Sequence, residues 1–369
     1  MIRSPYHIDL TKILFRFGIT VSIATFLLQL SPTVALSQTD TTQSTQSTEI
    51  VANDPKPKSL KVVTWNLEWF FDHYQGDNSS DLSKQLSAPS QADWDWKVQT
   101  VANSIAQMKP SILGLQEIEN RRVLEELTRI LKEKHGLSYR IAYVEGFDRA
   151  TEQEVGILYR DGLVEFSRFE QSGPMFRSQQ YYNLSKHLVA RFRWGNGDET
   201  EELIIILVHL RARPEEAELR IKQCKLVRHW LQDLSRHTPN LIIMGDLNTE
   251  ELAGNIRDGS DIQWLTKGRT DSSDDDLYDL LKNAPEPNRQ THLILNKQFD
   301  RILVSPSLVE DGPGRDLSFQ SIQVHPEFNI RGTGADERES HWERYWQIEP
   351  VERDISDHHP VSAEFSFNR

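Results

Sequence analysis

Cysteine is almost missing from the 369 residues: Cys224 is the only one. No intramolecular disulfide can form, so stability must come from core size or bound metal. Cys224 falls on the apolar side of a predicted helix, where a thiol is buried and inert. Long hydrophobic runs are also lacking. Residues 17–30 are apolar but interrupted by Thr20, Ser22 and Thr25, and a membrane span needs about 20 apolar residues. Positive charge is short as well, with 42 Lys and Arg against 55 Asp and Glu and a net charge of -13. That deficit argues against tight, sequence-independent nucleic-acid binding, which depends on basic patches. It does not exclude a nuclease, because a local basic groove and a bound metal can reverse the sign where it matters. No internal repeat is present. The acidic stretch at residues 271–276 lacks the spacing and glycine of an EF-hand loop and reads as solvated surface.

What is present begins with an address. Lys12 and Arg16 precede the apolar run, and Ala35, Leu36 and Ser37 supply small residues at a cleavage site, the pattern of a signal peptide over residues 1–37. The expectation is an exported, extracellular or periplasmic protein; an uncleaved anchor through residues 17–30 is the alternative. Residues 38–58 open with a Ser, Thr and Gln tract and read as a disordered tether. Removing residues 1–37, which carry Arg3, Lys12 and Arg16 against Asp9, leaves a net charge of -15. No linker interrupts residues 59–369, which read as one catalytic domain. With 37% hydrophobic and 26% charged residues, the chain has the balance of an ordinary globular protein.

Short runs rich in Val, Ile and Leu predict strands at residues 60–64, 112–115, 155–159, 203–208, 241–244 and 302–304 and at Val361–Phe367. Between them lie three stripes at helical spacing. Val98, Val101, Ala102, Ile105 and Met108 form the first, stopped by Pro110. Val123, Leu124, Leu127, Ile130 and Leu131 form the second, ended by Gly136. Ile221, Cys224, Val227, Leu231 and Leu234 form the third. Strand pairs with no helix between them, mixed with amphipathic helices, predict two packed sheets with helices outside. The charge-dense residues 331–344 read as a surface loop.

Several apolar strands run straight into polar residues. Residues 241–244 lead into Gly245, Asp246, Leu247 and Asn248. Residues two apart in extended chain share a face, so Asp246 and Asn248 project together while Leu247 turns to the core. Asn66 and Glu68 follow residues 62–65 with the same spacing. Glu117 follows residues 112–115, His209 ends residues 203–208, Asp300 opens residues 302–304, and Asp357 and His358 precede the last strand. Each alone is explained by a turn, a cap or a satisfied histidine. Six such strand ends in one chain are not.

Taken together, TWNLEW (64–69), ILGLQEIEN (112–120), VGILYR (155–160), LVHLRA (207–212), IIMGDLNT (242–249), FDRILVS (299–305) and SDHHPV (356–361) resemble the endonuclease/exonuclease/phosphatase superfamily, in the family's own order. The resemblance spans residues 61–361. It implies a deoxyribonuclease I-like α/β fold, a four-layer α/β/β/α sandwich of two mixed sheets flanked by helices. It implies hydrolysis of phosphate esters by in-line water attack, in an enzyme that is most simply a monomeric extracellular nuclease with no obligate protein partner. A phosphatase or a sphingomyelinase-type lipid phosphodiesterase is the alternative, and a non-catalytic phosphate-binding module on the same fold is the alternative of a different class. Matched position by position, Asn66, Glu117 and Asp357 look like metal ligands, with Glu68 a further metal-site candidate. His209 resembles the phosphate-binding histidine, and Asp246 the residue that orients or deprotonates the attacking water. Asn248 resembles its partner at the phosphorane, and Asp300 the carboxylate that orients His358. Arg211 and Tyr159 are candidate substrate contacts. A glutamate pairing with His209 would be Glu152 or Glu154, or absent. Of the adjacent His358 and His359, only the first can face the site.

Chemistry asks for such a set. A phosphodiester is anionic and repels nucleophiles, so it needs charge neutralisation, an oriented water and a stabilised leaving oxygen. Carboxylates with an amide make an oxygen-rich site suited to Mg2+, with Mn2+ a workable substitute. Zinc would want a set dominated by His and Cys. For a membrane-acting enzyme, the tryptophans at 342 and 346 would supply an apolar contact loop.

Overall fold

The computed structural model describes residues 54–268, 273–286, 288–310 and 317–367. The expected signal peptide, most of the tether, and Asp271 of the acidic stretch lie outside the described residues. The last five residues of the expected tether belong to the fold. Asp54 accepts the Gly162 N–H through its carboxylate at 2.8 Å and the Gly195 N–H through its carbonyl at 2.9 Å.

Twelve strands form two six-stranded sheets. The first contains β1 (Ser59–Phe70), β2 (Ile112–Ile118), β3 (Arg140–Tyr143), β4 (Glu154–Tyr159), β11 (Leu317–Val324) and β12 (Val361–Phe367), in the order β11-β12-β1-β2-β4-β3. The second contains β5 (Leu163–Ser167), β6 (His187–Trp194), β7 (Glu201–His209), β8 (Leu241–Asp246), β9 (Tyr278–Asp279) and β10 (Asp300–Val304), in the order β5-β6-β7-β8-β10-β9. Only β1 with β2 and β7 with β8 run parallel; the other pairs are antiparallel. Among the described residues the α-helices are α1 (Asp81–Leu86), α2 (Gln91–Met108), α3 (Arg121–His135), α4 (Gly173–Ser178), α5 (Ala217–Leu234), α6 (Asp261–Thr266) and α7 (Arg338–Arg344).

Strand alternation builds the layers. Leu60, Val62 and Ile112 join Leu203, Ile205, Leu207, Ile242 and Met244 in a core between the sheets. Their neighbours Val63, Trp65, Leu113 and Leu115 face outward, onto Val98, Val101, Ile105 of α2 and Val123, Leu127, Leu131 of α3. On the other side Ile204, Ile206, Val208 and Ile243 meet Cys224, Val227 and Leu231 of α5 and Ile262 and Leu265 of α6. This is the expected four-layer α/β/β/α sandwich. Cys224 is fully buried, and burial holds its thiol pKa far above ordinary. The sheets approach closely at Gly114, where a Cβ would stand 2.6 Å from both Leu207 and Met244.

All seven expected strands and three expected helices are present. Strands β3, β5, β6 and β11 give no clear signal because Arg, Glu, Ser and Gln punctuate their apolar residues, and β9 because it is only two residues long. Residues 331–344, expected as surface loop, include α7, and His341 within it is fully buried.

A buried ion pair ties β10 to β9. Arg301 Nη1 lies 2.6 Å from Asp279 Oδ2, both side chains being sealed from solvent. Removing one partner strands the other charge, so Asp279→Ala should lose about 3–5 kcal/mol of folding stability. A denaturant titration reads this directly; a shift below about 1 kcal/mol contradicts the assignment.

Candidate functional site

The parallel strands β1, β2, β7 and β8 deliver their C-terminal ends to one rim of the sandwich, and antiparallel β10 and β12 deliver their N-terminal ends there. Register does the rest: Asn66 pairs with Gln116, His209 with Asp246, and Asp300 with Asp246. Six polar strand ends separated by up to 292 residues in sequence thereby meet.

At the centre Asn66 Nδ2 donates to Glu117 Oε1 at 3.0 Å and to Asp246 Oδ2 at 3.1 Å. His209 Nε2 stands 3.5 Å from the same Asp246 oxygen and 3.8 Å from Glu117 Oε1. His358 Nδ1 is 2.8 Å from Asp300 Oδ2, and its Nε2 lies 3.9 Å from Asp246 Oδ2 and 3.7 Å from Asp357 Oδ1. Asn248 donates its backbone N–H to Asp246 Oδ1 and its amide to the Leu210 carbonyl. The final SDHH segment is pinned to β1: Ser356 Oγ donates to the Asn66 carbonyl, and Trp65 Nε1 to the His358 carbonyl.

The backbone is strained here. Glu68, Glu117 and Asn248 have φ of 47, 57 and 48 degrees, a left-handed conformation costing about 1 kcal/mol or more for a residue with a Cβ. Gly245, at φ 136 degrees, has no room for a Cβ, which would sit 1.9 Å from the Val208 carbonyl oxygen. The left-handed turn also corrects the same-face expectation for Asn66 and Glu68. Asn66 reaches Glu117 and Asp246, whereas Glu68 Oε2 takes the Asp357 N–H at 2.8 Å and His341 Nε2 at 2.7 Å.

Protonation differs sharply between the two imidazoles. Burial, reinforced by Lys186 and His358, drives the His209 pKa far below ordinary, so it is neutral. Burial opposes the His358 cation too, but Asp300 and Asp357 outweigh it and raise its pKa well above ordinary. Burial lifts Asp246 to about 6 despite His358. Burial, with Asp357 nearby, lifts Glu117 to about 7. Asp357 resists burial because His358 and other imidazoles hold it down to about 2.

Such a set fits a hard cation. Glu117, His209 and Asp246 offer ligand atoms that all lie within 4.8 Å of one another, and the carboxyl of Glu117 is held above its ordinary range partly by repulsion from Asp357. A divalent cation relieves that repulsion. Glu117 and Asp357 are the carboxylates that would hold it; the Asn66 amide does not offer its oxygen as expected, because Oδ1 accepts the Glu68 N–H at 2.9 Å and it is Nδ2 that faces Glu117 and Asp246.

Other expectations fare differently. Tyr159 is not a substrate contact: it is the last residue of β4, paired with Ile112 at the far end of the sheet and buried in the inter-sheet core. Its position follows from β4 running antiparallel to β2, which puts Glu154 rather than Tyr159 at the site. Arg211, just past His209, is exposed and lies 3.7 Å from Glu216. Glu152 is taken by Ser79, Ser80 and Ser83. Glu154 has an oxygen with no partner, and so does His209 at Nδ1, so neither glutamate pairs with His209. His359 turns away to Asn329. The tryptophans of the proposed apolar loop are already spent: Trp342 donates to Asp357 Oδ2 at 3.0 Å, and Trp346 packs on the outer core.

Four residues around the site went unnoticed in the sequence. His292 lies 3.5 Å from Asp357. His341 bridges Glu68 and Asp336, whose carboxylates overcome burial and lift it to about 10. Lys97, lowered to about 8 by burial, donates to the Glu68 and Ile355 carbonyls and to Tyr345. Lys186 binds Asp148, Thr151 and Gln153 beside His209. Lys97 stands on the buried side of its helix, three residues after Trp94 and one before Val98, which is the one signal the sequence offers.

Comparison with solved structures finds the same fold. Among solved structures, an endonuclease/exonuclease/phosphatase family protein from Bacteroides thetaiotaomicron is similar at 18% identity, with TM-score 0.53 over 85% of this chain and 100% of that one. A mannosyl-6-phosphatase of the same organism is similar at 18% identity, with TM-score 0.52 over 84% and 100%. TDP2 from C. elegans is similar at 15% identity, with TM-score 0.48 over 84% and 75%. At these identities the likeness concerns the fold. No curated protein matches the sequence. The model of the endonuclease/exonuclease/phosphatase family matches residues 61–364, and the chain belongs to that family.

Proposed function

We propose that the protein is a Mg2+-dependent phosphoric ester hydrolase, acting as an exported phosphodiesterase on nucleic acid. The observation that carries the reading is the meeting of Asn66, Glu117, His209, Asp246 and the Asp300–His358 pair on one rim. When bound, the cation supplies Lewis-acid charge neutralisation at the phosphoryl oxygen. Asp246 accepts the proton of the attacking water. Neutral His209 and charged His358 donate to the non-bridging oxygens as negative charge grows there. Asp300 fixes the His358 ring with its proton on Nδ1 and sustains its charge. Asn248 stabilises the phosphorane, and Arg211 is placed to meet the substrate beyond His209.

Hydrolysis of a small monoester is the second reading. A cavity of about 660 Å³ beside Glu119 and Glu154 is lined by six carboxylates against Arg121, Arg122 and Arg149, a wall unfavourable to a polyanion. One assay set with Mg2+ separates the readings: supercoiled plasmid, RNA, sphingomyelin and nucleotide monoesters. Plasmid nicking without lipid cleavage supports the first; monoester release alone replaces it with the second; no turnover of any ester leaves only a binding module. Export is tested by cell fractionation with N-terminal sequencing, the expected mature chain starting at Gln38. A chain retaining residues 1–37 in the membrane favours the anchor.

The pH profile has a definite sign. Asp246 works ionised and its pKa is about 6, so kcat/KM rises with pH through about 6. His358 works protonated, with a pKa well above ordinary, so activity falls only on the far alkaline side. Asp300→Asn removes the charge that raises it and should move the alkaline limb to lower pH; because Asp300 also raises Asp246, the acid limb should shift the same way. An alkaline limb that stays in place contradicts the role given to His358.

A further inference from the structure

His292, Asp357 and His358 bring their ligand atoms within 4.8 Å of one another, which invites a second metal centre. The hydrogen bonds around His292 point elsewhere. Residues 291–293 lie antiparallel to residues 357–359: the Leu293 N–H donates to the Asp357 carbonyl and the His359 N–H to the Thr291 carbonyl, each at 2.7 Å. Beyond His292 the chain turns back on its own ring, and the N–H groups of Ile294 and Leu295 both donate to His292 Nδ1 at 3.1 Å. A ring nitrogen receiving two N–H donors is unprotonated, so a neutral imidazole must carry its proton on Nε2. His292 Nε2 lies 3.5 Å from Asp357 Oδ2, at the outer limit of hydrogen-bond distance, on the oxygen where Trp342 Nε1–H, a donor only, arrives at 3.0 Å. A metal on Nε2 would require an imidazolate.

Resting on the hydrolase reading, we infer that His292 is a positioning residue and no metal ligand: with Trp342 it holds Asp357 Oδ2, leaving Oδ1 turned toward His358 and the catalytic rim. The arrangement matches what a ligating carboxylate requires, since partners on its outer oxygen set its orientation and metal affinity. The ring faces of Phe299 and Trp342, at 5.4 and 6.1 Å between centroids, hold the imidazole from the other sides. No signal for this exists in the sequence, because the 292–297 turn that fixes the tautomer carries no Gly or Pro.

The test uses the full chain labelled with 15N-histidine. NMR of the side-chain nitrogens should show His292 neutral with its proton on Nε2, unchanged on adding Mg2+. Mn2+ binding followed by EPR should weaken about 10-fold in His292→Ala and return to within about 3-fold of wild type in His292→Gln, whose amide N–H reaches the same oxygen. Trp342→Phe should weaken binding similarly. A proton on Nδ1, an Nε2 that coordinates the ion, or a Gln variant as weak as Ala overturns the inference. A wild-type chain that binds no Mn2+ defeats this and the hydrolase reading together. One that binds Mn2+ and cleaves esters, while the Ala variant binds as tightly, defeats this inference alone.

Discussion

Asp246→Ala should slow hydrolysis of an activated phosphodiester about 100-fold or more at saturating Mg2+, with a much smaller change in KM. The carboxylate is nearly sealed from solvent and its two oxygens are already oriented, Oδ1 by the Asn248 N–H and Oδ2 by Asn66. Burial places its pKa at about 6, near the value a general base needs at neutral pH. Asn66 keeps its bond to Glu117 when Asp246 is gone, so the loss should fall on kcat rather than on the fold. Thermal unfolding checks the second point. A variant that folds and keeps its rate removes Asp246 from the mechanism.

The second large effect concerns His358. Its imidazolium pairs with Asp300, which is fully buried and has an Oδ1 without a partner. His358→Ala would therefore lose both catalysis and stability, and the cleaner variant is His358→Asn, whose amide can still donate to Asp300. It should fold near wild type yet lose about 100-fold or more in kcat. Because Asp300 acts through His358, adding Asp300→Asn should cost little more, the non-additivity expected of groups that work as a unit. Full additivity would mean that Asp300 acts on its own.

Much of this was legible before the structure. Unbroken apolar strands announced themselves at residues 203–208 and 241–244, because both faces of a central strand are buried and no polar residue interrupts them. The polar residues at their ends were legible for the same reason: His209 directly after residues 203–208, or Asp246 one glycine after residues 241–244, is conspicuous. Edge strands were not. β11 alternates Ser and Gln with apolar residues and has only one covered face. Tyr159 misled because VGILYR was read without knowing which way β4 runs. Glu68 misled because period-two reasoning presumes extended chain, and its left-handed φ breaks that period. His292 and His341 were out of reach, since their roles arise from long-range contacts with Asp357 and Glu68. A buried histidine in a charge-dense segment looks, in sequence, like any solvated one.

Under the proposed reading, residues far apart in the chain form one pocket that would hold a divalent cation beside a phosphoryl group. Anomalous diffraction from crystals soaked with Mn2+ and inorganic phosphate tests this most directly. The expected result is one strong manganese peak about 2.2 Å from a Glu117 carboxylate oxygen, with phosphate within hydrogen-bond reach of His209 and His358. Manganese bound only elsewhere, or phosphate remote from both histidines, would contradict it.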